Sequence, residues 1–442
     1  MKQALLTSGT IAAAFAAGAI LFAAAVSHAD PKPPDDLNPI IFVHGGSGSG
    51  AQFESQAWRF TSNGYPSDYI RALEYDSSQI NAILPAVLAE LDALIAELQL
   101  QTGRPQVDLL GHSLGTFVSQ TFLSTPARAA NVAHYVNIDG SSAAAPPGGV
   151  PTLALWAGAD PPVGSIVGAL NVTLAGQEHI ETATSAEAFF EMYQFFRGEA
   201  PETTEVVPEA PGHVRISGQV NFFPSNVGIA GAFLEIWEVD PGTGLRTKKK
   251  PEAAALIDAT GDWGPVKVHS FKSYELAVTR ENEVDVNFFY EPFLRSDNLI
   301  RLNIATGLAP FIDASPNHTA LTVVRQREFC GDLGAGSDVL EIAGSNVINT
   351  TTASCASIAA GSAAVFAFDD ASDGVSHVNV IPFPFGPLAF LTATDLFIPT
   401  APPGTVSVVT VPRGGGAART VNVPNLPSSE ARVVVNLYDF EP

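Results

Sequence analysis

Positive charge is scarce in this chain. Lysine and arginine number 22 against 45 aspartates and glutamates in 442 residues, for a formal net charge of −23. That balance excludes a nucleic-acid partner, which needs cations to displace condensed counterions, and it excludes a footing on anionic lipid. Cysteine is nearly absent as well. Only Cys330 and Cys355 occur; they stand in no metal-ligand spacing, and no histidine–carboxylate cluster does either. Neither a catalytic metal nor a cofactor is expected. In an exported chain the two thiols suit a structural disulfide. Long apolar runs are missing after Val26, so no stable membrane anchor is expected. The run that does exist, Ile11 to Val26, follows Lys2 and precedes Ser27-His28-Ala29. With small residues at −3 and −1, residues 1–29 read as a signal peptide cleaved after Ala29, which places the mature protein in a secreted or periplasmic location.

What is present is organised around Val107-Asp108-Leu109-Leu110-Gly111-His112-Ser113-Leu114-Gly115. A short apolar strand runs straight into G-x-S-x-G, and a helix-compatible run follows from Thr116 to Leu123. The turn between such a strand and helix is tight enough that side chains at the two glycines would clash. The strain lifts the Ser113 hydroxyl into the open at the positive end of the helix. The pentapeptide alone is a weak signal. Its flanking strand and helix make it a nucleophile elbow rather than a glycine-rich turn that holds a serine.

Upstream, the continuous apolar run Pro39 to Val43 has the look of a strand buried on both faces. It opens into His44-Gly45-Gly46-Ser47-Gly48-Ser49-Gly50. No Gly-Lys-Ser/Thr completes a phosphate loop, and no acidic ribose partner completes a dinucleotide fingerprint. The loop instead suits a close approach of backbone N–H groups to an oxyanion. A short helix is expected over 51–63 and a strand over 70–75. A long helix is expected over 79–100, with Pro85 at its start or at a kink. Strands over 133–138, 152–156 and 171–175 and a helix over 185–196 follow. Alternating strands and helices imply an α/β fold with a parallel sheet across residues 38–198.

A serine nucleophile needs a base, and the base needs a carboxylate to fix its tautomer. In chain order after Ser113, Asp160 follows the strand Leu153 to Trp156, and His179 follows the strand Val172 to Ala175. Asp139, which ends an earlier strand, is the rival acid. His44 and His112 are expected to line the site, and His134 to pack in the core.

These pieces resemble the minimal α/β-hydrolase lipases: Val43-His44-Gly45-Gly46, Gly111-His112-Ser113-Leu114-Gly115, Gly158-Ala159-Asp160 and His179-Ile180. The resemblance implies Ser113 as nucleophile, His179 as base and Asp160 as its orienter. It also implies an oxyanion hole from the Gly46 and Leu114 amides, although small lipases of this group often carry another residue where Gly46 stands. No long cap insertion separates Ser113 from His179, so any lid must be small, within 51–66.

Beyond an acidic, proline-rich linker or surface crossing over 199–212, the apolar period changes to two, with Pro-Gly and Thr-Gly turns between runs. An antiparallel β-sandwich or barrel is expected over 213–304, and 305–442 is a second β-rich domain or a continuation of the first. This layout resembles two-part bacterial and archaeal lipases with a C-terminal β-domain, and the stretch Tyr290 to Asp297 looks characteristic of them. In those lipases the β-domain assists with long acyl chains. The expected function is therefore a secreted serine hydrolase of lipid esters at an oil–water interface. The alternatives are a polyester or feruloyl esterase with an adhesive β-domain, and a non-catalytic secreted binding protein.

Overall fold

A computed structural model describes residues 37–158, 164–312, 314–356 and 361–442. The expected signal peptide lies outside these residues. Six parallel strands form the first sheet: β1 (Ile40–Val43), β2 (Ile70–Leu73), β3 (Val107–His112), β4 (Val132–Ile138), β5 (Thr152–Ala157) and β6 (Leu170–Leu174), in the order β2-β1-β3-β4-β5-β6. Alternation along β1 shows how the layers divide. Ile40 and Phe42 join one core with Phe60, Phe189, Met192 and Phe196, whereas Ile41 and Val43 join the other with Leu91, Ile95, Val118 and Phe122. Helices α1 (Glu54–Ser62) and α6 (Ala186–Arg197) thus cover one face, and α2 (Ile80–Thr102) and α3 (Leu114–Leu123) the other. Two one-turn helices, α4 (Pro126–Ala129) and α5 (Glu181–Thr184), sit in loops. Local chemistry sets the ends: the Ser185 side chain caps α6 by accepting from the Ala188 amide, and Gly103 and Gly198 close α2 and α6 in the left-handed conformation. Pro85 stands inside α2, near its start, where few preceding carbonyls remain to be lost.

The second half is all-β, as its period predicts. Its strands are β7 (Arg215–Phe222), β8 (Val227–Gly228), β9 (Phe233–Val239), β10 (Ala253–Leu256), β11 (Asp262–Lys267), β12 (Ser273–Thr279), β13 (Asp285–Tyr290) and β14 (Asp297–Ile304), then β15 (Leu321–Phe329), β16 (Val339–Ile342), β17 (Ser345–Asn346), β18 (Ser362–Phe368), β19 (Phe390–Asp395), β20 (Thr405–Val411), β21 (Arg419–Pro424) and β22 (Ala431–Leu437). The expected antiparallel sandwich needs correction, because the sheets are mixed. The last strand, β22, inserts in parallel between β13 and β15, building one eight-stranded sheet, β10-β9-β12-β13-β22-β15-β18-β19, across the border at 304/305. Hairpin patterns in a sequence report local antiparallel pairs; they do not register a chain end that returns to a distant strand. One face of this sheet packs on the β11-β7-β14 layer through Leu276, Val278, Phe288, Ile300 and Leu302. Its other face packs on β16, β20 and β21 through Val323, Val433, Val435, Leu340 and Val408. Cys330 and Cys355 form a disulfide.

The stretch proposed as a lid is buried. Ala51, Gln52, Phe53, Ala57, Trp58 and Phe60 are all buried. Ser55 donates to Asp439, Gln56 to the Ala183 and Ser185 carbonyls, and Arg59 to the Thr184 and Thr204 carbonyls. A helix held on both sides cannot lift without unmaking the core, so no lid lies here. Segment 199–212 is likewise a tied surface crossing: Thr203 pairs with Asn63, Val207 with Ser62, and the Glu209 amide with Leu294 O. Phe293 and Leu294 are core residues, and Arg295 reaches across to Thr61.

Where α1 meets β14, carboxylates are buried together. Burial, only partly offset by the Leu299 amide and Arg301, pushes Asp297 up to about 7. A folded-state pKa raised above the unfolded value stabilises fully below about pH 4 and is lost as pH rises through 7. Asp297→Asn keeps an acceptor for Leu299 and is expected to raise stability by up to about 4 kcal/mol at pH 8. The gain should vanish at pH 4, as melting curves at the two pH values would read. An equal change at both would disprove the assignment.

Candidate active site

Strand β3 ends at His112, and the next residue, Ser113, sits at φ 52°, ψ −120°, a conformation a β-carbon resists, immediately before the first turn of α3. Packing enforces it. A β-carbon on Gly115 would come 2.1 Å from Val43 O, and one on Gly111 would come 2.6 Å from Gly115 O. The glycines therefore answer to close approach, as the sequence suggested. Ser113 and His179 line one cavity of about 430 Å³.

The His179 ring carries its Nδ1 at 2.5 Å from Asp139 Oδ2. The carboxylate on the histidine is thus the rival Asp139; Asp160, the acid expected from chain order, lies outside the described residues. Asp139 is set at φ 40°, and its Oδ1 accepts from the Ala157 amide of β5 at 2.9 Å. Burial opposes its charge, but the hydrogen bonds from His179 and Ala157 and the nearby histidines outweigh that, and its pKa is held below the ordinary range. Its C-terminal neighbour has to be glycine, since a β-carbon on Gly140 would come 2.1 Å from Thr116 Oγ1.

His112 is placed beside the site, as expected, and its partners fix its tautomer. Nε2 lies 3.0 Å from His179 O, which can only accept, so Nε2 carries the proton and Nδ1 accepts from the Gln52 amide at 2.9 Å. Burial and the neighbouring His179 push its pKa down to about 3, which leaves it neutral. His44 is buried and points away from the cavity. Its Nδ1 donates to Gly45 O at 2.8 Å, and its ring stacks on Tyr75, whose hydroxyl donates to His44 O at 2.6 Å. His134 is half-buried and pairs with Asp108 at 2.8 Å.

The glycine loop after β1 turns back on itself, with Gly48 N donating to Gly45 O and Ser47 at φ 55°. A β-carbon on Gly45 would come 2.9 Å from Ser113 Cβ, whereas one on Gly46 would meet nothing within 4 Å. Gly45 is therefore the sterically required residue, and position 46 has room for a side chain. Gly46 lines the cavity, and Leu114 is the first residue of α3.

Sequence reasoning missed the contribution of the β-region. Asn226, at φ 56° in the turn between β7 and β8, donates to His44 Nε2 at 3.1 Å and to Gly48 O at 2.8 Å, bracing the glycine loop. Phe390 of β19 stacks on His179 at 5.7 Å. Val286, Val324, Ala364, Phe366 and Val434, from one face of the eight-stranded sheet, form the apolar wall opposite Ser113. Only the asparagine offers a sequence signal, as a turn residue suited to positive φ.

Comparison with known proteins agrees with this layout. Residues 37–125 match the family model for lipase (class 2), residues 212–306 match the model for a lipase C-terminal domain, and residues 307–441 match a further C-terminal domain model. Among curated proteins none matches significantly. Among solved structures, a Bacillus licheniformis lipase in propeptide form is 13% identical with a TM-score of 0.29, the match covering 88% of this chain and 94% of that one. A Bacillus subtilis carboxylesterase is 13% identical with a TM-score of 0.26, over 38% and 86%. A Legionella pneumophila phospholipase is 9% identical with a TM-score of 0.22, over 91% and 93%.

Proposed function

From a chain of the lipase/esterase kind, an α/β-hydrolase half followed by a C-terminal β-region, we propose a secreted serine hydrolase that cleaves carboxylic esters of lipids through an acyl-enzyme. The observation that carries the reading is the conjunction at one cavity of a strained Ser113 and a His179 whose far nitrogen is held by Asp139. Ser113 Oγ attacks the acyl carbonyl while His179 Nε2 takes its proton, and Asp139 supports the resulting imidazolium. The amides of Gly46 and Leu114 stabilise the oxyanion, the latter aided by the dipole of α3. The imidazolium then protonates the leaving alcohol, and water repeats the sequence on the acyl-enzyme. Export is inferred from residues 1–29.

The apolar wall supports an acyl chain rather than a bulky polar acid. With p-nitrophenyl esters from acetate to palmitate, kcat/KM is expected to rise toward the longer chains, and a p-nitrophenyl phosphonate should transfer its phosphonyl group to Ser113 Oγ with release of p-nitrophenol. A profile falling from acetate onward would sink the lipid assignment. Because the β-region lines the cavity and braces its loops, it is a part of the site and not a detachable adhesion module.

A further inference from the structure

The segment that carries His179 leaves the α/β sheet after β6, and its outer side faces β15. There the backbone amides of Ile180 and Glu181 both donate to the carboxylate of Glu328, the first to Oε1 and the second to Oε2 at 3.0 Å. Glu328 is 1% exposed. It is itself held, because Arg413 Nη1 donates to its carbonyl at 2.7 Å and Arg325 Nη2 does so at 2.5 Å. The same Arg413 pairs with Glu181, which also meets Arg327 at 2.7 Å. On the inner side, the His112 ring donates to His179 O. The backbone is thus fixed on both flanks of the histidine, by a neutral imidazole from the elbow and by an anionic fork from the β-region. The reaction sequence itself makes no use of this buried carboxylate.

We propose that Glu328 is a positioning residue for His179: its fork holds the backbone at 180–181 so that the ring stays on Asp139 beside Ser113, and its charge favours the imidazolium. This rests on the reading of His179 as base. The charged and titratable groups facing the pair are Asp139 and His112 at the ring, and Glu178, Glu181, Arg325 and Arg413 around Glu328. Burial raises the pKa of Glu328, with the Ile180 and Glu181 amides and His179 opposing.

The test uses the full chain with Glu328→Gln, which keeps volume but removes the charge and one acceptor. Expected is a fall in kcat of roughly tenfold to a hundredfold with KM within twofold, as for a small displacement of a catalytic group. The acid limb of the pH–kcat/KM profile should move to lower pH by about half a unit, since a negative charge near the histidine is lost. Glu328→Asp, which keeps the charge, should restore the limb while kcat stays low. An unmoved limb with kcat within twofold would overturn the proposal. Should the glutamine variant fail to fold, the aspartate variant decides: kcat reduced at unchanged KM supports the proposal, and wild-type kcat overturns it. Phosphonate labelling of wild-type Ser113 separates the two readings. Labelling with an inert Glu328 sinks only this proposal, whereas no labelling sinks the serine–histidine assignment beneath it.

Discussion

Ser113→Ala is expected to lower ester hydrolysis by roughly 10⁵-fold or more while leaving the melting temperature within a few degrees. The large loss follows from the covalent route: without Oγ there is no acyl-enzyme, and the oxyanion donors can only assist direct attack by water, worth a residual of roughly 10³–10⁴ over the uncatalysed rate. The small effect on stability follows from the geometry. Ser113 is half-buried and holds φ 52°, and alanine at that φ carries the same strain that serine already bears. Its amide bond to Ile138 O at 2.9 Å is a backbone contact that the substitution keeps. Steady-state rates on a soluble ester, with the phosphonate label as a control, measure it. Activity within tenfold of wild type would show that the nucleophile lies elsewhere and would dissolve the triad reading.

How far the site was legible varies by residue for physical reasons. The elbow was readable because close packing leaves no alternative to glycine at 111 and 115, and such a constraint is written directly into the sequence. His179 was readable because the loop after β6 ends at the same edge of the sheet as the elbow. The acid stayed divided between two candidates, because β4 and β5 are neighbours and an aspartate follows each of them in the sequence. What marks Asp139 is a contact between non-adjacent segments, since a β-carbon on Gly140 would come 2.1 Å from Thr116 Oγ1. The Asp-Gly pair at the end of β4 was the available signal. Asn226 carried only the signal of a turn residue and Glu328 none, since their partners are far away in sequence, 182 residues for His44 and 148 for Ile180. The fold shows the same split. Periods of two and of 3.6 located the elements, but the parallel insertion of β22 between β13 and β15 depends on side-chain packing across three layers.

The rival carboxylates can be told apart by two substitutions. Asp139→Asn is expected to lower kcat by roughly 10⁴-fold with little change in KM, and Asp160→Asn to leave both within twofold. The amide of Ala157 holds one oxygen of the Asp139 carboxylate, and an asparagine oxygen can keep that bond. The amide NH₂ then faces His179 Nδ1, where the carboxylate accepted a hydrogen bond before. A donor at that place favours the tautomer with Nδ1 unprotonated, so that Nε2 carries the proton and can no longer take one from Ser113. Loss of the negative charge also removes support from the imidazolium that forms in the transition state. Both effects act on chemistry rather than on binding, hence on kcat. A pH–rate profile of each variant reads them directly. If Asp160→Asn gave the large fall and Asp139→Asn the small one, the contact at 2.5 Å would be a resting arrangement and the chain-order expectation would hold in the reacting enzyme. The geometry supports the opposite result, because Asp139 is anchored at both oxygens and kept ionised by those bonds.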